Sequence, residues 1–235
     1  MTHDVDEIVH EMIDDTTDHI RDEATGAHAS TDRADEHGAS EHGARVRIVG
    51  LGGSLAEPSA SLRALELALE SAASTGAEVE LLDLRALRLP LFDPTLHHVP
   101  PAALRLAARA AEADAMIWSS PTYHGAMSGA FKNALDWLQL LAEDEPPYLT
   151  DRPVGLIATS AGSRAMQTVN TMASAAQALR GWTLPLCVTV GRSYAAFDTD
   201  GIARDPAVAG QLAALGRSTV QAAHRFAGAA SGSRR

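Results

Sequence analysis

The sequence predicts an α/β fold: a doubly wound, five-stranded parallel sheet with helices on both faces. Two observations carry this. Five short apolar runs of strand character are separated by stretches in which apolar residues recur at helical spacing. Small and polar residues collect after the first, third and fourth runs, where a parallel sheet presents its carboxyl ends.

The expected strands are Val46–Leu51, Val79–Leu84, Ala115–Ser119, Val154–Thr159 and Leu186–Val190. Each is short and mostly apolar, as suits a strand covered on both faces. The helical patterns between and after them are Ser61–Ser74, Pro101–Ala113, Gly129–Leu141, Ala165–Leu179 and Pro206–Phe226. A strand order of 2-1-3-4-5 puts the topological switch point, where ligands bind, between strands one and three.

The chain has 235 residues, of which 46% are hydrophobic but only 4% aromatic, so the core is built of Ala, Leu and Val. A single cysteine, Cys187, precludes an intrachain disulfide and a thiolate zinc cluster, and a cytoplasmic protein is expected. No apolar run reaches the roughly 20 residues of a membrane helix, and the acidic N-terminus lacks signal-peptide character. No membrane partner is therefore expected.

The net charge of −11 is unevenly placed. Residues 1–44 hold 13 acids and 2 arginines, while residues 45–235 hold 17 acids and 17 bases. The neutral body excludes nucleic acid as the main partner, since phosphate backbones demand a basic face. Within the tail, Val5, Ile8, Val9, Met12, Ile13 and Ile20 share a helical face over residues 4–21, and residues 24–44 read as a flexible linker. Two readings stand for the tail: an amphipathic helix that docks on a protein partner, or a disordered solubilising segment. Its six histidines follow no closed metal-site spacing, so no metal is expected. The body spans 45–228, and 229–235 is expected to be disordered.

Strand one leads into Gly52-Gly53-Ser54-Leu55-Ala56-Glu57-Pro58-Ser59-Ala60-Ser61. Glycines allow close approach, the hydroxyls of Ser54, Ser59 and Ser61 can donate, and the following helix N-terminus favours an anion. A phosphate site and a plain helix cap both fit this loop. No lysine is near, so it is not a Walker loop. Gly50-Leu51-Gly52 with Asp83 partly matches a dinucleotide fingerprint, but Leu55 occupies the third glycine position. A serine esterase is a further alternative, with Ser160 as nucleophile, donors at His124-Gly125, and Asp198 and His224 following in hydrolase order. Against it, His224 lies in a helical pattern.

Taken together, the first loop, Ser120-Pro121-Thr122-Tyr123-His124-Gly125, and Gly129-Ala130-Phe131-Lys132-Asn133-Ala134-Leu135-Asp136-Trp137 resemble the NAD(P)H-dependent FMN reductase family. The resemblance covers about Arg45 to Phe226. It implies a flavodoxin-like sheet with non-covalently bound FMN and NADPH or NADH as co-substrate. By motif position, Ser54, Ser59 and Ser61 would hold the FMN phosphate. Pro121, Thr122, Tyr123, His124 and Gly125 would border the ring, with Ser160 and Gly162 on its other side. Thr122 and His124 stand where the family has Glu and Asn. The expected activity is hydride transfer from NAD(P)H through FMN to a small acceptor such as free flavin or a quinone. The flavin carries the chemistry, so no side-chain nucleophile is required, and His124 is a candidate for tuning it. A one-electron flavodoxin-like carrier is the alternative, although its Thr-rich phosphate loop is absent. A homodimer or homotetramer is expected through the helix at 129–141, from the large apolar residues Phe131, Leu135, Trp137, Leu138 and Leu141.

Overall fold

The mostly apolar strands call for a sheet with two covered faces, and the computed structural model, which describes residues 45–52 and 54–232, has that form. Residues 1–44, Gly53 and 233–235 lie outside the described residues. So do the expected helix at 4–21, the linker at 24–44 and the protein partner inferred from them.

The chain runs β1 (Arg47–Gly52), α1 (Ala60–Ala73), β2 (Glu78–Asp83), the short α2 (Leu84–Leu87), α3 (Pro101–Glu112), β3 (Ala115–Tyr123), β4 (Ala126–Met127), α4 (Gly129–Trp137), β5 (Pro153–Thr159), α5 (Ala165–Ala178), β6 (Trp182–Val190) and α6 (Pro206–Gly232). Five strands pair in parallel in the order β2-β1-β3-β5-β6, which is the expected 2-1-3-4-5 arrangement. The sixth strand, β4, pairs antiparallel with the end of β3.

Side-chain alternation sorts the core into two layers. Ile48, Ile117, Ile157 and Val188 point to the face covered by α1 and α6, packing on Leu65, Leu69, Leu212 and Leu215. Val49, Leu51, Met116, Trp118 and Leu156 point to the face covered by α3, α4 and α5. Gly50 and Gly52 in β1 serve the first layer. A Cβ on Gly50 would lie 2.6 Å from Leu69 Cδ1, and one on Gly52 2.9 Å from Leu62 Cδ1. These glycines let α1 seat close to the sheet, and they sit within a strand, not in a dinucleotide-binding turn.

Several expected boundaries shift for identifiable reasons. β3 continues through Tyr123, and His124-Gly125 form a two-residue hairpin turn to β4, with φ of +52° and +83°. Both central residues of such a turn adopt positive φ, which Gly takes freely. β6 begins at Trp182, four residues before the expected start. Pro185 reads as a strand breaker, but β6 is an edge strand and the ladder has an irregularity at Val154/Leu156, where a residue without an N–H is tolerated. α4 ends at Trp137 and tightens into a 3₁₀ turn, Leu138–Leu141. α6 continues to Gly232, into the stretch expected to be disordered. Ala227, Ala229 and Ala230 are strong helix formers, and extending a formed helix is cheap compared with starting one.

The apolar side chains that suggested an oligomer interface have another use. Phe131, Leu135, Trp137, Leu138 and Leu141 are all buried within the chain's own core. Phe131 meets Trp118 edge to face at 5.7 Å, Trp137 meets Phe92 at 5.1 Å, and the Trp137 indole N–H donates to the Pro90 carbonyl at 2.9 Å.

Candidate functional site

The loops that follow β1, β3, β5 and β6 leave the sheet at its carboxyl edge. A cavity of about 580 Å³ opens there at the β1/β3 switch point. On its floor is the β1–α1 loop. Ser59 caps α1 by accepting from the Leu62 N–H at 3.1 Å, and its Oγ shares a 3.1 Å hydrogen bond with Ser61 Oγ in which either hydroxyl can donate. Ser54 Oγ accepts from the Ala56 N–H at 3.1 Å. Ser54 and Ser61 are buried, and Ser119 of β3 locks the loop by donating to the Ser61 carbonyl at 2.7 Å. Among the described residues, the Ala60 and Ser61 amides at the helix start make no hydrogen bond. Three hydroxyls, free amides and a helix N-terminus form a donor set suited to a phosphate monoester.

Of the ten residues expected in the site, Ser54, Ser59, Ser61, Pro121 and Tyr123 line this cavity. Thr122, His124, Gly125, Ser160 and Gly162 do not. The reason is strand alternation: Pro121 and Tyr123 face one way along β3, whereas the Thr122 hydroxyl faces α5 and accepts from Thr168 Oγ1 at 2.8 Å. His124 is exposed at the hairpin tip, and Gly125 turns beside Gln167, whose Oε1 would lie 2.8 Å from an added Cβ. Ser160 Oγ donates to the Gly162 carbonyl at 2.5 Å.

Other walls come from residues that the sequence did not point to as part of a flavin site. Thr159 lines the cavity, and so do Ser193, Tyr194, Phe197, Asp198, Thr199 and Gly201 of the β6–α6 segment. The available signal was Gly191-Arg192-Ser193, small and polar residues following a strand at the same edge. This segment is tied down. The Ser193 N–H donates to the Ser160 carbonyl at 3.0 Å, and Phe197 bridges Ala203. Asp198 Oδ1 accepts from the Asp200 and Ile202 amides at 3.0 and 2.7 Å. Arg63 of α1 donates from Nε to the Gly201 carbonyl at 2.6 Å and pairs with Glu66 and Glu70 at 3.1 and 3.0 Å. Burial works against the Arg63 charge, but its hydrogen bonds to Glu66 and Glu70 prevail and raise its pKa above the ordinary guanidinium value. On the β2 side, Asp83 accepts from the Arg85 N–H at 2.9 Å, capping α2, and the Arg85 guanidinium pairs with Glu57.

Two alternatives fail on this geometry. The esterase triad is not assembled: Phe226, two residues from His224, stacks against Trp182 at the amino end of β6. Ser160 follows the carboxyl end of β5, so the length of a nine-residue strand, roughly 25 Å at about 3.3 Å per residue, lies between them. The dinucleotide reading loses its acid, because Asp83 is a helix cap. Among the described residues, no histidine, cysteine or lysine lines the cavity. The lining can hold, orient and shield a ligand.

Comparison with known proteins agrees with this picture. The model of the family described as NADPH-dependent FMN reductase matches residues 46–195. A curated relative, NADPH-dependent FMN reductase ArsH of Rhizobium meliloti, is 31% identical over 157 residues, covering 67% of this chain and 64% of its own length. An NADPH:quinone oxidoreductase of Arabidopsis thaliana is 30% identical over 122 residues, 50% of this chain and 59% of its own length. This chain therefore spans somewhat under two thirds of the curated relatives it matches. Among solved structures, the flavoenzyme NAD(P)H:(acceptor) oxidoreductase FerB from Paracoccus denitrificans superposes with a TM-score of 0.63 at 22% identity, over 77% of this chain and 98% of its own, which establishes the shared flavodoxin-like fold. Because the family match covers residues 46–195, from the start of the sheet to just past β6, this chain belongs to the NADPH-dependent FMN reductase family.

Proposed function

We propose that this protein is an FMN-dependent NAD(P)H oxidoreductase that passes hydride from NADPH or NADH to a small acceptor such as free flavin or a quinone. The observation that carries the reading is the cavity at the β1/β3 switch point, whose floor offers the Ser54, Ser59 and Ser61 hydroxyls and the Ala60 and Ser61 amides to a phosphate. Bound FMN supplies the hydride relay between nicotinamide and acceptor. The protein holds the phosphate at the loop and presents Pro121 and Tyr123 as an apolar border for the ring. In this reading Thr122, His124 and Gly125 would border the ring with Ser160 and Gly162 on its other side, backbone N–H groups of these loops would stabilise negative charge on the reduced cofactor, and His124 would tune it. The Arabidopsis relative, an NADPH:quinone oxidoreductase, supports a quinone as acceptor.

The protein acts in the cytoplasm and as a homodimer. Among the described residues no helix is long and apolar enough to cross a membrane. A second cavity, of about 530 Å³, is lined by Leu55, Leu84, Leu89, Leu91, Gly129 and Ala130, with Leu91 82% and Leu55 61% exposed, and it suits the second copy. The decisive experiment is the absorbance spectrum of the purified protein, followed by NADPH and NADH oxidation with FMN or a quinone. A colourless protein that takes up no FMN refutes the proposal, and a monomeric mass by light scattering refutes the dimer.

A further inference from the structure

The floor of the cavity has hydroxyls and amides but no cation. From Ser54 to Ser61 the only ionisable residue is Glu57, whose carboxylate adds negative charge beside the place a phosphate dianion would take. Charge of the right sign has to come from outside the loop, and two arginines line the cavity. Arg63 is committed: it holds the Gly201 carbonyl and both Glu66 and Glu70. Arg85 differs in each respect. Its backbone is fixed at the β2–α2 junction by the Asp83 cap, while its guanidinium is 48% exposed and has Glu57 as its ion-pair partner. It also stands between the two cavities and lines both, so its head group can swing without displacing core side chains.

We propose that Arg85 is the cationic ligand of the cofactor phosphate and that Glu57 competes with the phosphate for it. This rests on the flavin reading above. The Glu57–Arg85 pair keeps both charges satisfied. A phosphate held by Ser54, Ser59 and Ser61 brings two charged oxygens within the reach of a planar five-donor guanidinium, which binds phosphate better than a single carboxylate. Glu57 then releases Arg85 and stays at the rim, where water solvates it. The pair thereby sets the affinity: Arg85 pulls the anion in, and Glu57 taxes each binding event by the strength of the pair it gives up.

The test compares FMN with riboflavin, which has the same ring and ribityl chain but no phosphate. Apo-protein is titrated with each flavin by fluorescence quenching. Arg85→Gln is expected to weaken FMN about ten- to hundredfold, the range for a hydrogen bond to a charged group, and to leave riboflavin within twofold. Glu57→Gln is expected to tighten FMN about three- to tenfold, again without effect on riboflavin. The FMN affinity of the wild type should fall with added salt, and that of Arg85→Gln should fall much less. Both side chains are about half exposed or more, so neither change opens the core, and unchanged circular dichroism verifies this. An FMN affinity in Arg85→Gln within twofold of wild type, or an equal loss for riboflavin, overturns the proposal. So does an FMN affinity in Glu57→Gln no tighter than wild type. Failure of the wild type to bind either flavin removes the proposed function itself, a distinct result.

Discussion

Two glycines in α6 carry opposite predictions. Gly216 is buried where α6 crosses α1, and a Cβ built on it would lie 2.1 Å from the Ala68 carbonyl oxygen and 3.1 Å from the Ala72 nitrogen. The closest comfortable C···O approach is about 3.3 Å, so Gly216→Ala must push the helices apart by roughly 1 Å. The obstacle is backbone, which cannot rotate away. A gap of that size costs the seam of Leu65, Leu69, Leu212, Leu215 and Val220 a quarter to a half of its contact energy locally. Overpacking costs about 1–3 kcal/mol, and with backbone as the obstacle the upper end, about 2–3 kcal/mol, applies; Ala returns about 1 kcal/mol of helix propensity. The expected net loss is about 1–2 kcal/mol, or a Tm lower by roughly 2–8 °C in a domain of this size. Gly210 lies one and a half turns earlier, is exposed, and has nothing within 4 Å of its Cβ position. Gly210→Ala is therefore expected to raise Tm by roughly 2–4 °C. Differential scanning calorimetry of both variants is the assay. A Gly216→Ala protein as stable as the wild type would refute the close-packed α1–α6 seam. Because α1 carries Ser59 and Ser61 at its start, the same variant should also bind FMN more weakly.

Ser54→Asp places a carboxylate on the floor of the phosphate site and should weaken FMN at least tenfold in a titration of apo-protein; unchanged affinity would remove the loop from the site. Ser160→Ala loses the bond to the Gly162 carbonyl and should lower flavin affinity or turnover by the worth of one hydrogen bond, about 0.5–1.5 kcal/mol or roughly 2- to 12-fold. Robust hydrolysis of an activated ester that disappears in this variant would instead establish Ser160 as a nucleophile. Arg152 bridges the carbonyls of Ala111, Ala113 and Tyr148 from the loop before β5. Burial holds its pKa below the ordinary guanidinium value, opposed by Asp114 and Asp144, yet an arginine remains charged at any working pH. Arg152→Met should leave these acceptors poorly satisfied and cost about 2–3 kcal/mol in urea unfolding, and a loss under 0.5 kcal/mol would contradict that role.

The sequence by itself determined the number and order of the βα units, because apolar period and breaker residues act within a few residues of each other. It also located the sheet edge at which the cavity opens, since that follows from strand direction alone. The hydroxyl loop at 54–61 was legible for the same reason: Ser59 caps the helix that immediately follows it. Tertiary structure alone decided which residues of a legible motif reach the cavity. Pro121 and Tyr123 line it and Thr122 does not, because β3 runs on through the motif and alternates its faces. Only packing showed that the apolar face of α4 is consumed inside the chain, or that Gly50 and Gly52 exist to admit α1. The remaining decisions join residues far apart in the chain: Glu57 with Arg85, Arg63 with Gly201, Ser119 with Ser61. Such contacts depend on how the sheet orders its strands and leave no periodic trace in either partner's local sequence, so they become visible only when the chain has closed on itself.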